Sequence, residues 1–291
     1  MSNYFELHKK HFSLSQFVRT SLIEDVLDGD HTSLAIISKK QTGKCQLLVK
    51  ENGIIAGIEA AKNIFKTINP KFKFTELIKD GSNVKKGDVA FTIEGNVHKL
   101  LIAERLVLNV MQRMSAIATK TNHLQNLCIG TKAKVIDTRK TTPNFRFFEK
   151  WAVVIGGGAN HRFGLYDMIM IKDNHIDFAG GIIEAINAAN LYLKKTKKKL
   201  PIEVETRSLS DVKTILKLKK GSFHRIMLDN FSLSETKKAV SLIGKSIEIE
   251  SSGGITEKTI ANYAKCGVNY ISVGALTHHV KSLDLSLKAI K

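Results

Sequence analysis

From residue 133 onward, short runs of β-branched and apolar residues alternate with segments long enough to form a helix. The runs are KVIDT (134–138), AVVI (152–155), MIMIK (168–172), IEVET (202–206), RIMLD (225–229), IEIES (247–251) and YISVG (270–274). This alternation predicts right-handed β–α–β units and hence a parallel sheet. The number of runs favours an incomplete α/β barrel. An open doubly wound sheet is the alternative, although no dinucleotide-binding glycine fingerprint follows the first run.

The part of the chain before residue 133 has a different pattern. Helical periodicity occurs in residues 14–28, 58–68 and 98–128. Residues 44–57 and 72–96 instead contain short strand-like runs separated by turn sequences such as NG, DGSN and KKGD. Antiparallel strands joined by such turns and flanked by helices predict a small α+β domain ahead of the barrel.

Positive charge is the most unusual feature of the composition. Lys and Arg total 45 against 27 Asp and Glu, which gives a formal net charge of +18 at pH 7. A nucleic-acid-binding protein is therefore one candidate class. However, the lysine-rich runs 194–199 and 213–220 have the character of solvated helix faces and helix ends. Because the chain has one Trp and no zinc-finger or aromatic-basic RNA-binding motif, no nucleic acid is required as a partner.

The expected location of the protein is the cytoplasm. Cys45, Cys128 and Cys266 are odd in number and far apart, which is typical of a reducing compartment and not of a disulfide framework. The first residues, MSNYFELHKKHF, contain no apolar signal-peptide core. No apolar run approaches the length that spans a membrane, so no membrane partner is expected.

Charged side chains follow nearly every run of the predicted barrel, at the edge where α/β barrels carry their active sites. The cations and potential cations at this edge are Arg139, Lys140, His161, Arg162 and Lys172. Arginine binds a carboxylate through a planar pair of donors, and lysine adds a point charge. Each residue alone is more simply a surface or salt-bridged cation. Together, on successive strand ends, they predict a substrate with more than one acidic group.

Two carboxylates and two glycine loops complete this edge. Glu205 and Asp229 lie at the ends of their runs, and their oxygens suit Mg²⁺ or the stabilisation of a cationic sugar centre. The alternative is that both acids pair structurally with nearby cations. The sequences SSGG (251–254) and VGA (273–275) follow the last two runs, where barrels bind phosphate through backbone N–H groups. Two further acids, expected in the barrel interior or its lining, are Glu203 and Glu250.

Taken together, these motifs resemble those of the quinolinate phosphoribosyltransferases, also called carboxylating nicotinate-nucleotide pyrophosphorylases. The motifs are DTRKTTP, GGGANHRFGLYDMIMIKDNH, VETRS, LDN, SSGGI and SVGALTH, together with EDVLDGDHTS and AERLVLNVMQRMSAIAT nearer the N-terminus. The resemblance covers nearly the whole chain. Ala116 stands where the family commonly has glycine, and Ser251 where alanine is common. Neither departure removes a charge that the chemistry needs.

The resemblance implies an α/β fold and a reaction. The implied fold is an N-terminal α/β sandwich with an antiparallel sheet, residues 1–112, and a seven-stranded, incomplete TIM-like barrel, residues 113–276. A C-terminal helix, residues 277–291, is expected to pack back onto the first domain. The implied reaction transfers phosphoribosyl from phosphoribosyl pyrophosphate to quinolinate with decarboxylation, giving nicotinate mononucleotide, CO₂ and pyrophosphate in NAD biosynthesis. The implied cofactor is Mg²⁺, and the implied assembly is a homodimer.

The resemblance also implies roles for individual residues. The positions that match the quinolinate pocket are Arg139, Lys140, His161, Arg162 and Lys172, with Arg105 contributed by the partner subunit. The positions that match the phosphoribosyl pyrophosphate site are Lys140, Glu205, Asp229, Ser252, Gly253, Gly254, Gly274 and His278. The expected catalytic residues are Lys140, Lys172, Glu205 and Asp229. A metal ion is expected at Glu205 and Asp229, held through water.

Two rival functions remain open at this point. The first is that of a related phosphoribosyltransferase that uses another acidic ring, or of the relative associated with molybdenum transport. The paired cations Arg139–Lys140 and His161–Arg162 favour a dicarboxylate over either. The second rival is a basic nucleic-acid-binding protein, whose affinity would fall steeply with salt.

Overall fold

The structure, a computed structural model, describes residues 12–290 of the 291-residue chain. Two compact units are present. The first unit contains residues 12–122, 141–157 and 277–290, and the barrel unit contains residues 123–140 and 158–276. The chain therefore leaves and re-enters each unit. The domain ranges 1–112 and 113–276 stay predictions.

Antiparallel strands and helices form the first unit. Its strands are β1 (Thr42–Val49), β2 (Gly53–Ile54), β3 (Lys73–Glu76), β4 (Asn83–Val84), β5 (Val89–Asn96) and β12 (Leu285–Ile290). Its helices are α1 (Leu14–Val26), α2 (His31–Ile36), α3 (Ile58–Ile68), α4 (Val97–Asn126, whose end belongs to the barrel unit) and α5 (Arg146–Ile155). The larger sheet has the order β12–β1–β5–β3, and β2 pairs with β4. All of these pairs are antiparallel, as predicted.

The C-terminal helix predicted for residues 277–291 is wrong. A short helix, α11 (Ala275–His278), is followed by β12, which runs antiparallel to β1 with Leu287 opposite Leu47. Leu285 and Leu287 are both buried. Their spacing of two residues suits a strand that turns one face to the core, and that pattern outweighs the helical preference of the segment.

Parallel strands and helices alternate in the barrel unit. The strands are β6 (Lys134–Ile136), β7 (Ile169–Ile171), β8 (Ile202–Thr206), β9 (Arg225–Asp229), β10 (Glu248–Ser252) and β11 (Tyr270–Ser272). The helices between them are α6 (Asp173–Ala179), α7 (Ile182–Thr196), α8 (Leu209–Ile215), α9 (Leu233–Ile243) and α10 (Ile260–Lys265). The sheet order is β6–β11–β10–β9–β8–β7, and every pair is parallel. This circular order, with the first strand beside the last, is that of a barrel and not of a doubly wound sheet.

The strand predicted at residues 152–155 is wrong, because these residues end helix α5. Phe148, Trp151 and Ala152 are buried on it at helical spacing, whereas Val154 is exposed. A short apolar run does not by itself distinguish a buried helix from a strand.

A single bridge takes the place of that seventh strand. Ala159 pairs in parallel with Ile136 of β6. The N–H of Ala159 donates to the carbonyl oxygen of Val135 at 2.9 Å, and the N–H of Asp137 donates to the carbonyl oxygen of Ala159 at 3.4 Å. The GGGANHR segment is therefore joined to the end of β6, which is where Arg139 and Lys140 begin.

No helix within residues 12–290 has both the length and the apolar character that are needed to cross a membrane. Cys45, Cys128 and Cys266 are free thiols, and burial raises the pKa of each.

Candidate active site

The predicted site residues of the barrel unit lie at the carboxyl ends of its parallel strands. In order from β6 to β10, those at strand ends are Arg139, Lys140, Lys172, Glu205, Asp229 and Ser252. Because parallel strands end at the same edge, these residues share one rim, which we call the barrel rim. Neighbouring strands are in register there, with Ser252 opposite Asp229.

Two arginines of the barrel rim lie close enough to repel each other. Burial, and then the like charge of Arg139, lowers the pKa of Arg162. The Nη1 of Arg162 also donates to the carbonyl oxygen of Met168 at 3.3 Å, which orients the guanidinium. Two neighbouring guanidinium groups provide the charge and the donor geometry for an anion with carboxylate groups.

Asp137 fixes the turn that carries Arg162. Its buried carboxylate accepts the backbone N–H of His161 at 2.9 Å and the side-chain amide of Asn160 at 2.6 Å. The acid at the end of β6 therefore holds the GGGANHR segment in place. Sequence reasoning assigned no role to Asp137, although its position between KVI and Arg139 was a usable signal.

Lys172, Glu205 and Asp229 form a connected group on adjacent strands. The Nζ of Lys172 lies 2.6 Å from Oε2 of Glu205, and the N–H of Asp173 donates to Oε1 of the same carboxylate at 3.3 Å. Burial, and then the charge of Glu205, raises the pKa of Asp229, while Lys172 opposes this effect. The structural pairing considered for these acids therefore occurs for Glu205, whereas the carboxylate of Asp229 accepts from Nδ2 of Asn230 at 2.7 Å.

The loop after β10 needs glycine at two successive positions. Gly253 has φ +89° and Gly254 has φ +60°, in the left-handed region. A Cβ on Gly253 would collide with the side chain of Asn230, whereas a Cβ on Gly254 would meet open space. The Asn230 N–H also donates to the carbonyl oxygen of Ser252 at 2.9 Å. The loops after β9 and β10 are thus packed together and leave the backbone at Gly254 uncovered.

Gly274 is the corresponding residue after β11. It directly precedes α11, which begins at Ala275. The adjacent glycine loops of β10 and β11 match the expected position of a phosphate, and this role stays a prediction.

His161 is almost fully buried beneath the barrel rim. Its Nε2 lies 3.1 Å from Oε2 of Glu203 and 3.3 Å from Oε2 of Glu250. Burial disfavours the charged ring, but the two carboxylates outweigh it and raise the pKa of His161 to about 9. The Arg162 N–H, 2.6 Å from Nδ1, instead favours an unprotonated Nδ1. In either protonation state Nε2 carries a proton that faces the two carboxylates.

Glu203 and Glu250 are both fully buried, as expected for barrel-interior groups. Burial, and then the charge of Glu250, raises the pKa of Glu203 to about 7. Burial also tends to raise the pKa of Glu250. The contact with His161 outweighs burial, so the pKa of Glu250 is lowered.

Two predicted site residues belong to the first unit. Arg105 is exposed on α4, and His278 is exposed at the end of α11, where its Nδ1 lies 2.8 Å from Nδ1 of His279. The roles of Arg105 and His278 stay predictions.

Two family models together cover most of the chain. Residues 30–115 match the model described as quinolinate phosphoribosyl transferase, N-terminal domain, and residues 117–288 match the corresponding C-terminal domain. The chain belongs to the quinolinate phosphoribosyltransferase family.

Curated members of the quinolinate phosphoribosyltransferase family align over nearly the full chain. The nicotinate-nucleotide pyrophosphorylase [carboxylating], chloroplastic, of Arabidopsis thaliana is 43% identical over 95% of this chain and 83% of its own. The quinolinate phosphoribosyltransferase [decarboxylating] 1b of Nicotiana tabacum is 44% identical over 95% and 82%. The crystal structure of NadC from Streptococcus pyogenes is 37% identical, with a TM-score of 0.88 over 96% of this chain and 97% of that one. The predicted family and α/β barrel fold are confirmed.

A buried ion pair in the first unit of this quinolinate phosphoribosyltransferase was missed by sequence reasoning. Glu149 of α5 is fully buried, and its Oε1 accepts from Nε and Nη2 of Arg113 at 3.0 and 2.8 Å. The same carboxylate accepts from the backbone N–H and hydroxyl of Thr142, at 3.2 and 2.9 Å. Arg113 also donates to the carbonyl oxygen of Thr277. These bonds fix the backbone at Thr142, two residues after Lys140. Arg113 lies within the motif AERLVLNVMQRMSAIAT quoted above.

Proposed function

We propose that the barrel rim performs the reaction of the quinolinate phosphoribosyltransferase family on phosphoribosyl pyrophosphate and quinolinate. The products are nicotinate mononucleotide, CO₂ and pyrophosphate. The chain is a pentosyltransferase of pyridine-nucleotide biosynthesis by its family. The observation that supports the site assignment best is that the charge of Arg139 lowers the pKa of Arg162, because two guanidinium groups that influence each other suit a dianionic ring.

The quinolinate clamp is assigned to the cations of the barrel rim. Its proposed members are Arg139, Lys140, His161, Arg162 and Lys172. The planar donors of the arginines suit the two carboxylates of quinolinate, and the lysines add charge at the carboxylate that leaves. An aromatic acid with one carboxylate would leave part of this charge unmatched.

The phosphoribosyl pyrophosphate site is assigned to the other half of the rim and to the glycine loops. Its proposed members are Lys140, Glu205, Asp229, Ser252, Gly253, Gly254, Gly274 and His278. The uncovered left-handed backbone at Gly254 supports this assignment, because exposed N–H groups of such loops bind phosphate.

The first chemical step is displacement at the ribose. The ring nitrogen of quinolinate forms a bond to C1 while the C1–oxygen bond breaks and its electron pair leaves on pyrophosphate. C1 gains oxocarbenium character during this exchange, and the carboxylates of Glu205 and Asp229 stabilise it. The clamp contributes by holding the nitrogen in line with C1.

The second step is decarboxylation. The ring nitrogen is cationic after bond formation, so it stabilises the electron pair that stays on the neighbouring carbon when CO₂ leaves. That carbon then takes up a proton. Lys140 and Lys172 are assigned to the departing carboxylate, and an ammonium group there also supplies a proton.

Mg²⁺ is the proposed cofactor, and Glu205 and Asp229 fit it. The pKa of Asp229 is raised by burial and then by the charge of Glu205, so a cation near the pair would relieve their repulsion. Because Lys172 already pairs with Glu205, contact through water suits the ion better than direct coordination. When bound, Mg²⁺ neutralises the charge of the pyrophosphate.

A homodimer with a shared site is part of the proposal. Arg105 is exposed on α4, which suits a residue that reaches the partner subunit's quinolinate pocket. The test mixes Arg105→Ala with Lys172→Ala, each inactive alone. Mixed dimers should regain activity, because one of their sites has both native residues. No activity in confirmed mixed dimers contradicts sharing.

A cytoplasmic location is proposed from the three free cysteines. Cell fractionation with an antibody to the protein tests it, and recovery in an organelle or membrane fraction contradicts it.

The activity is tested with purified protein, quinolinate, phosphoribosyl pyrophosphate and Mg²⁺. Nicotinate mononucleotide and CO₂ should appear in equal amounts, and a chelator should stop both. Nicotinate and other acidic rings serve as alternative substrates. Turnover of one of these in preference to quinolinate contradicts the proposed substrate.

A further inference from the structure

Three buried carboxylates from different parts of the barrel unit hold His161. Asp137 accepts its backbone N–H at 2.9 Å. Glu203 of β8 and Glu250 of β10 face its Nε2 at 3.1 and 3.3 Å. The imidazole side chain is 4% exposed and both glutamate side chains are 0% exposed. These contacts fix the position of the imidazole.

The next residue along the chain is Arg162, whose guanidinium belongs to the proposed clamp. The Arg162 N–H lies 2.6 Å from Nδ1 of His161. Both ring nitrogens of His161 therefore face protein groups: Nε2 faces the barrel interior, and Nδ1 faces the backbone of Arg162. The orientation of the imidazole fixes where the backbone of Arg162 lies.

Arg225 anchors the two glutamates from the amino-terminal end of β9. Its Nη1 lies 3.3 Å from Glu250 and 3.6 Å from Glu203. Its own position is fixed by Glu248, at 3.0 Å, and by the ring of Tyr270, whose centroid lies 4.0 Å from Cζ. The two buried carboxylates thus face one cation from below and the imidazole N–H from above.

A metal ion is the other reading of this cluster, because His161, Glu203 and Glu250 each offer a ligand atom within 4.8 Å of the others. Arg225 argues against it. The guanidinium already balances one of the two carboxylate charges, and a divalent ion beside it would bring two like charges together in the barrel interior.

We propose that Glu203 and Glu250 are positioning residues for quinolinate binding, with Arg225 as their support. They orient His161, and through its imidazole they set the backbone of Arg162 so that the guanidinium meets a substrate carboxylate. His161 thus supports Arg162 from beneath, in addition to its proposed place in the clamp. This inference rests on the proposed role of Arg162 in the clamp.

The test compares Glu203→Gln and Glu250→Gln with the wild-type enzyme in steady-state kinetics. Both amides keep the shape of the side chain but lose the charge that attracts Nε2–H. We expect the KM for quinolinate to rise about tenfold, because a small misplacement of a binding group is costly. The KM for phosphoribosyl pyrophosphate should stay within about twofold, because Glu203 and Glu250 face His161 and act through Arg162, which is not assigned to the phosphoribosyl pyrophosphate site.

Glu248→Gln is the matched control. Glu248 is two residues from Glu250 on the same strand and also contacts Arg225, but its side chain is 47% exposed and it does not face His161. Its variant should bind quinolinate like the wild type. An equal rise of quinolinate KM in this variant would show a general disturbance of the barrel and would overturn the assignment.

A second variant keeps the proposal testable if the glutamine variants do not fold. Glu250→Asp retains the charge and draws it back from Nε2 by one methylene, so it should fold and show a smaller rise in quinolinate KM. In ¹⁵N-histidine spectra the His161 ring resonances should shift in this variant. An unchanged quinolinate KM in a folded variant, or an equal rise for both substrates, overturns the proposal.

Failure of this inference is distinguishable from failure of the site assignment. If the Arg162→Ala enzyme has an unchanged KM for quinolinate, the proposed clamp itself is contradicted. If Arg162→Ala loses quinolinate and the glutamate variants do not, only the positioning role is lost.

Discussion

The Nζ of Lys172 and Oε2 of Glu205 lie 2.6 Å apart, which joins a cation after β7 to an acid near the end of β8. The glutamate side chain is 6% exposed, beneath a lysine that is 43% exposed. A lysine assigned to a carboxylate of quinolinate therefore also holds an acid assigned to the ribose. The two halves of the barrel rim are linked through this pair.

Removing only the lysine should cost more stability than removing both charges. Lys172→Met leaves the buried carboxylate of Glu205 without its lysine partner. We therefore expect a loss of about 1–3 kcal/mol in the free energy of unfolding. The double variant Lys172→Met/Glu205→Gln should recover part of this loss, because no buried charge is left unpaired. Urea unfolding of the four proteins of the cycle measures the difference. Additive losses would contradict the pairing.

Substitutions in the arginine pair should affect one substrate selectively. Arg139→Ala or Arg162→Ala removes a charge-assisted contact, so quinolinate binding should weaken by about 1.5–3 kcal/mol while phosphoribosyl pyrophosphate binding changes far less. Calorimetric titration of each ligand measures this. Arg207→Ala is the control, since Arg207 pairs with Asp177 on an exposed surface. Equal weakening of both ligands in a folded variant contradicts the clamp.

The barrel rim could be predicted from the sequence because each of its residues lies at the end of a strand-like run or shortly after it. Alternation places strand ends at one edge, so local patterns locate Arg139, Lys172, Glu205 and Asp229 without knowledge of distant contacts. The predictions that were wrong concern short segments whose composition is compatible with both a strand and a helix. AVVI (152–155) has the composition of a strand, but its neighbours make it the end of helix α5.

The supporting residues could not be predicted, because their partners are far apart in sequence. His161 meets Glu203 and Glu250 only once the barrel has formed, and Arg113 meets Glu149 through the packing of two helices. An isolated acid in a strand gives no sign of which cation it will face. The periodicity and the motifs of a sequence identify the residues of a site. Which residues support the site from beneath is decided by the tertiary structure.

The two glycines after β10 should respond differently to alanine. Gly253→Ala places a methyl group against Asn230 in addition to the cost of a left-handed backbone, whereas Gly254→Ala bears only the backbone cost of about 1–2 kcal/mol. Gly253→Ala should therefore lower the melting temperature more. Thermal unfolding of both variants side by side checks this. An equal decrease would show that the loop moves away from Asn230 freely.

Breaking the buried pair in the first unit should destabilise the protein strongly. Glu149→Ala leaves Arg113 without its carboxylate and Thr142 without its acceptor, and we expect a loss of about 3–5 kcal/mol in the free energy of unfolding. The loss should be nearly the same at low and high salt, because the carboxylate is fully buried. Denaturant unfolding in both conditions measures it. A loss below about 1 kcal/mol would place the pair among ordinary surface contacts.

Stability should fall as the pH rises from about 7 to about 9, through deprotonation of His161. The pKa of His161 is raised to about 9 in the folded protein, against about 6.5 in an unfolded chain. A raised pKa means that the folded state holds the proton more tightly. The resulting stabilisation, on the order of 3 kcal/mol, is complete below about pH 6.5 and is lost as the pH rises through about 9.

His161→Gln is the comparison that isolates this effect. It keeps a donor toward Glu203 and Glu250 but does not titrate, so its free energy of unfolding should change less between about pH 7 and about pH 9 than that of the wild type. Glu203, whose pKa is raised to about 7, is half titrated at the lower edge of this window, and it is present in both proteins. Urea unfolding at several pH values gives both curves. Parallel curves would show that His161 is already neutral at pH 7, and that the Arg162 N–H, not the two carboxylates, sets its protonation.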